Sequence, residues 1–259
     1  MYILYIIIIM FNGYKLEILY KDSYIVVINK PSGLLVHKSM IDRHEIYYAM
    51  KMLRNQLGGQ WVYPVHRLDK PTSGVLLFAL DSQTAKLLNE AFREHRMQKR
   101  YIAVVRGYVD KSGVIEHTLK EKLDKIADRD SRRDKEPQEA RTEYSMLAKV
   151  EIDAAVGRYE KTRYSLVDLV PQTGRKHQLR RHMKHISHHI VGDTKYGRGE
   201  HNKFVRSRYG VHRLLLHCYE LLIQHPYTGE KLKFRAGLDA TFLNVFKEFG
   251  WEDRVQFFN

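Results

Sequence analysis

Cys218 is the single cysteine among 259 residues. One thiol excludes a disulfide framework and every zinc site that needs two thiolates, and it suits a reducing, cytoplasmic setting. Long apolar runs are also missing. The most apolar stretch, Met1 to Phe11, falls short of the roughly 20 residues that cross a bilayer. It also lacks the basic start and small-residue cleavage site of a secretory signal. It reads either as an extra strand or, preferably, as an extension ahead of a true start at Met10. No repeat, low-complexity tract or flexible linker divides the chain, so residues 13–259 are expected to form a single domain behind a 1–12 extension.

Several reaction signatures are absent. There is no GxxxxGK[ST] phosphate loop, and no GxGxxG opens a helix after a strand. His44-Glu45 is not followed by histidine at the spacing of a zinc protease. Zinc deaminases need a Cys-x-x-Cys pair and are excluded with it.

Acidic residues are scarce too. Thirty Asp and Glu face 44 Lys and Arg, a formal charge of +14. Such a surplus favours a polyanion, because phosphate contacts and counterion release act without regard to sequence. At 44% hydrophobic and 29% charged, the chain otherwise reads as an ordinary globular protein.

The apolar pattern predicts a mixed α+β fold. Leu16 to Tyr20 and Tyr24 to Asn29 form a hairpin around Lys21-Asp22-Ser23. His44 to Leu57 has helical spacing and stops at Gly58-Gly59. Val75 to Leu80 is a continuous apolar strand. Ser82 is expected to cap a helix with Ala85, Leu88 and Phe92 on one face. Strands follow at Tyr101 to Val109, Arg141 to Glu151 and Arg163 to Val170. Residues 117–141 are densely charged with both signs, which reads as a solvated loop whose basic side chains can reach RNA.

Two stretches invite chemistry. "HQLRRHMKHISHH" holds His177, His182, His185, His188 and His189, and on a helix His182 and His185 share a face. No thiolate or carboxylate apart from Asp193 completes a metal set there, and cations surround it, so no metal site is assigned. The second stretch is "HRLDKPTSG". It sets Asp69, an acid that reads as buried, between Arg67 and Lys70, where Pro71 bars a regular helix. An isolated aspartate there would be an Asx-turn or a cap.

The whole string resembles the catalytic signature of the RluA-type pseudouridine synthases, which isomerise uridine in RNA. "LYKDSYIVVINKPSGLLVH", "QKRYIAVVRG" and "PQTGRKHQLRRHMKHISHHIVGDTKYG" resemble the family's other motifs, in the family's order. The resemblance implies the pseudouridine synthase fold, a mixed, largely antiparallel sheet flanked by helices around a basic cleft. It implies no cofactor. It also implies that Asp69 is the essential aspartate, acting either at the uracil ring or at the sugar, Tyr101 the tyrosine that stacks on the target base, and Arg180 the partner of the aspartate. Arg67 matches the arginine that helps displace the target nucleotide. Lys99, Arg100, Arg175, Lys176 and Arg181 are expected along the RNA backbone. His189 stands where the family usually has proline.

Physical chemistry suits these roles. Extracting a base from a duplex costs a few kcal/mol, which an aromatic face and an inserted cation offset in part. A guanidinium within about 4–6 Å keeps a carboxylate ionised and nucleophilic. Segments beyond the shared motifs, including "LDKIADRDSRRDKEPQEA" and "HPYTGEKLKFRAGLDATF", resemble members that act on tRNA. They imply uridine 65 of the acceptor/T-arm region, with 23S rRNA as the alternative. The first motif begins by Leu19, so no S4-type RNA-binding domain is expected, and the enzyme is expected to be a monomer. A non-catalytic RNA-binding protein and a metal-dependent nuclease built on the histidines are the readings from other classes.

Overall fold

The computed structural model describes residues 13–38, 45–120 and 136–258. The 1–12 extension and residues 121–135 of the charged insertion therefore lie outside the described residues. Among the described residues ten strands form one sheet. They are β1 (Glu17–Lys21), β2 (Ile25–Lys30), β3 (Tyr63–Pro64), β4 (Ser73–Ala79), β5 (Gln98–Arg106), β6 (Ser112–Glu116), β7 (Arg141–Ile152), β8 (Thr162–Pro171), β9 (Leu216–Gln224) and β10 (Lys231–Arg235). The spatial order is β1-β2-β4-β9-β5-β8-β7-β6, with β3 on β4 and β10 on β9. All pairings between strands are antiparallel except β4 with β9, which run parallel through Ser73–His217 and Gly74–Cys218.

Both faces of the sheet are covered. Helices α1 (Ala49–Gln56), α2 (Ser82–Arg93) and α3 (Gln178–His185) bury Leu53, Leu88 and Met183 against one face. Helices α4 (Gly199–Tyr209) and α5 (Ala240–Glu248), followed by a 3-10 turn over Glu252–Phe257, bury Val205, Phe242 and Phe246 against the other. Burial on two sides explains the unbroken apolar runs in β4 and β5. Along β5 the alternation of a strand still sorts side chains: Tyr101, Ala103 and Val105 face the first cluster, Ile102 and Val104 the second.

Local expectations shift in three places. Helix α1 begins at Ala49 instead of His44, and Ile46 is exposed. Strand β5 ends at Arg106, leaving Val109 buried beyond it. The cap of α2 is Asp81, one residue before Ser82. Its Oδ1 accepts from the Thr84 amide at 2.8 Å and its Oδ2 from the Thr84 hydroxyl at 2.5 Å. Asp81→Ala is expected to lower stability by about 1 kcal/mol, read as a shifted denaturant midpoint with unchanged slope.

Gly74 marks where the parallel pairing closes. It sits at φ +114°, and a Cβ there would stand 2.1 Å from the Cys218 carbonyl oxygen. Only glycine admits that approach, which brings the start of β4, and the loop before it, against β9.

Candidate active site

Asp69 lies in the loop between β3 and β4, and the "NKPSG" segment that ends β2 and leads out of it braces that loop. The fully buried Lys30 ammonium donates to the carbonyls of Pro31, Leu34 and Lys70 at 2.9, 2.7 and 3.3 Å. The Gly33 amide donates to the Lys70 carbonyl, and the Ser32 hydroxyl to that of Pro71. A turn closed from the Thr72 amide to the Asp69 carbonyl at 3.0 Å shapes the loop, and Asp69 lines the cleft beside it. Ser73 is buried, where its hydroxyl meets His217 Nδ1 at 2.7 Å and accepts from Arg213. Three short sequence segments thus converge on one carboxylate.

Asp69 faces a cleft of about 680 Å³, the scale of a small-ligand site. The side chain is 26% exposed, so it stands on the cleft floor and is not buried as the sequence suggested. Arg180, in the first turn of α3, donates from Nη1 to Asp69 Oδ2 at 3.0 Å. Its Nε and Nη2 donate to the two oxygens of buried Asp193, each at 2.8 Å. Burial opposes the Arg180 charge, but Asp193 and then Asp69 more than offset it, and the guanidinium pKa is raised. The arrangement holds a permanent cation against one carboxylate oxygen and leaves the other toward the cleft.

Tyr101 lines the same cleft from β5 with its ring buried, and burial lifts its phenol pKa well above the ordinary value. Its ring is therefore neutral at physiological pH. Asp69 is the one acid among the described residues lining the cleft, against Arg67, Arg93, Lys99, Arg175 and Arg180. Lys99 is half-buried beside the Phe92 ring, 5.2 Å from its centroid, and burial lowers its pKa. Arg175 also donates to the Glu139 carbonyl at 3.1 Å.

The remaining expected RNA contacts fall elsewhere. Arg100 does not share the cleft. Between Lys99 and Tyr101 the strand's alternation sends it to the opposite face, where it pairs with Asp168 at 2.5 Å and with Glu220 at 3.9 Å. Lys176, in the turn before α3, is exposed, and Arg181 is half-buried on that helix; neither is among the cleft-lining residues. Arg93 and His95, at the C-terminal end of α2, line the cleft although the sequence reading passes over them. Their signal is weak, a basic helix end of a kind that commonly answers the helix dipole.

The histidines have separate partners. His182 bonds to Thr142 and the His117 carbonyl, while His185 stacks on His117 with centroids 3.8 Å apart. His188 donates to the Arg106 carbonyl. His189, at the position where proline is usual, donates from Nδ1 to the Tyr196 carbonyl at 2.7 Å and so ties down the loop carrying Asp193. Of these, only His177 lines the cleft.

A family model described as RNA pseudouridylate synthase matches residues 24–185, more than half of the chain. The chain belongs to that family. The family residues span the loop of Asp69, the strand of Tyr101 and the helix of Arg180. Curated relatives agree across nearly their full length. A tRNA pseudouridine synthase C of Vibrio parahaemolyticus is 51% identical, covering 93% of this chain and 98% of its own. One of Pasteurella multocida is 53% identical, covering 92% and 97%. Among solved structures, Human RNA Pseudouridylate Synthase Domain Containing 4 superposes with a TM-score of 0.68 at 27% identity, over 90% of this chain and 93% of that one. The mixed α+β fold is that of the pseudouridylate synthases, and this synthase is an isomerase.

Proposed function

We propose that this synthase converts uridine to pseudouridine in tRNA, at uridine 65, with Asp69 as the essential carboxylate. The observation that carries the reading is the Arg180–Asp69 pair at 3.0 Å on the floor of a cleft whose other charged walls are cationic. The 51–53% identity to relatives named for tRNA supports the choice of substrate. Phosphates draw an RNA arm to the cleft mouth, and Arg67, exposed at its edge, takes the place of the target base as it leaves the stack. The everted uracil lies against the Tyr101 ring. With Arg180 set against its Oδ2, the Asp69 carboxylate assists breakage of the bond from N1 to the sugar. The freed base turns, C5 bonds to the same sugar carbon, the C5 proton leaves and N1 gains one. No net oxidation occurs.

Asp69, Arg180 and Asp193 all come from one chain, which supports a monomer as the working unit. Among the described residues no helix is long and apolar enough to cross a membrane. The buried lone thiol of Cys218 supports a cytoplasmic setting. The deciding experiment incubates purified enzyme with unmodified tRNA and with 23S rRNA transcripts and maps pseudouridine in both. Conversion at tRNA position 65 alone is expected; conversion confined to rRNA would replace tRNA with the alternative substrate.

The cleft-mouth cations give a further expectation. Arg93→Ala with Arg175→Ala raises KM for tRNA several-fold at about 150 mM salt with little change in kcat. It also flattens the dependence of log affinity on log salt by about one per lost phosphate contact. Titration of binding against salt checks this, and an unchanged slope would remove both residues from the RNA path.

A further inference from the structure

The cleft floor holds a second group beside Asp69 that the reaction scheme above does not use. His177 Nε2 stands 3.8 Å from Asp69 Oδ1, the oxygen that Arg180 does not hold. Its Nδ1 lies 2.9 Å from the Tyr196 hydroxyl, and the two rings meet edge-on with centroids 5.6 Å apart. The backbone at His177 is left-handed, φ 56° and ψ 28°, directly before α3. Such a conformation in a non-glycine residue carries a cost, and it persists where the surroundings require the side chain in one place.

Hydrogen-bond bookkeeping fixes the tautomer. If Nδ1 carried the proton, the bare Nε2 lone pair would face a carboxylate oxygen. If the Tyr196 hydroxyl donates to Nδ1, the proton sits on Nε2 and points at Asp69. The second arrangement is electrostatically favoured. Burial lifts the Tyr196 pKa above its ordinary value, so its hydroxyl keeps the proton to donate.

We propose that His177, oriented by Tyr196, is a positioning residue that donates from Nε2 to Asp69 Oδ1 once the nucleotide fills the cleft. The present separation is longer than a hydrogen bond, and catalytic hydrogen bonds commonly tighten in the substrate complex. Arg180 and His177 then hold one carboxylate oxygen each and fix the plane in which Asp69 meets the sugar. The proposal rests on the pseudouridine synthase reading, since it concerns how that reaction's carboxylate is aimed.

Protonation matters as well. Around the imidazole stand Asp69 from the catalytic loop, Arg180 on its own helix, Lys195 and Tyr196 from the following segment, and Lys176 beside it. Burial lowers its pKa, Asp69 works the other way, and the three cations add to the lowering, so the ring is neutral at pH 7. As pH falls through that lowered value, an imidazolium forms and ties Asp69 in an ion pair, which withdraws the carboxylate from the sugar.

Two substitutions separate donation from backbone accommodation. Asparagine suits the left-handed backbone better than glutamine, yet its amide is too short to reach Asp69. Glutamine carries an amide nitrogen near the place of Nε2. With tRNA as substrate, His177→Asn is expected to lose about tenfold in kcat at unchanged KM, and His177→Gln to keep most of it. The Gln variant also lacks the wild-type fall in kcat toward acid. Tyr196→Phe lowers kcat severalfold in the wild-type background and has no effect in the Gln variant. Asn as active as Gln, or a Tyr196→Phe loss equal in both backgrounds, would overturn the proposal. If the His177 variants fail to fold, as circular dichroism would show, Tyr196→Phe at wild-type kcat overturns it alone. Wild-type enzyme that forms no pseudouridine would instead overturn the reaction itself.

Discussion

Asp69→Asn is expected to bind tRNA at least as tightly as the wild type while forming pseudouridine about a thousandfold more slowly or not at all. The amide keeps the shape of the carboxylate, and its carbonyl oxygen can still accept from Arg180 Nη1. What is lost is the negative charge that assists the sugar. Binding does not suffer, because removing the cleft's one acid among described lining residues leaves its phosphate-attracting cations unopposed. Folding suffers little either. Arg180 keeps both bonds to Asp193, and a side chain 26% exposed contributes to a pair that solvent already weakens. A tritium-release assay beside filter binding reads both quantities. Turnover near wild type would end the assignment of Asp69, and lost binding would recast it as an RNA contact.

That carboxylate and its arginine are 111 residues apart in the chain. No periodicity could join them; the pairing is legible only because whole motifs resemble a family. Smaller features are open to direct reading. Strict alternation along "QKRY" already separates Arg100 from Lys99 and Tyr101, and setting Lys99 and Arg100 together along the RNA backbone takes no account of it. The partner of Arg180 is visible too, since a buried guanidinium needs an acid, but the sequence reading weighs Asp193 only as a metal ligand. Other elements give little signal. Helix α4 reads "GEHNKFVRSRY", with no apolar stripe to announce it, and forms because His201, Val205 and Tyr209 are buried against the sheet. Asp81 and Ser82 are both good caps, and the Thr84 geometry decides between them.

The two arms of Arg180 predict opposite phenotypes. Asp193→Asn is expected to cost about 3–5 kcal/mol of stability and activity with it, because it leaves a buried guanidinium short of its counter-ion. In the native protein Asp193 accepts from Arg180 through both oxygens and from the amides of Lys195 and Tyr196, each at 2.9 Å. An asparagine can satisfy the amides with its one oxygen, but its NH2 must then face the Arg180 Nε–H, donor against donor. Burial tends to raise the Asp193 pKa, yet Arg180 prevails and the value is lowered. A depressed carboxylate stabilises above its unfolded pKa of about 3.9 and loses that contribution as pH falls through its folded value. The wild type therefore has an acid limb in its stability that the Asp193→Asn variant lacks. Thermal melts at neutral pH should show a fall on the order of 10 °C, narrowing as pH drops below about 4. Equal melting temperatures at neutral pH would mean that Asp193 does not hold Arg180, and the aim of that guanidinium at Asp69 would need another source.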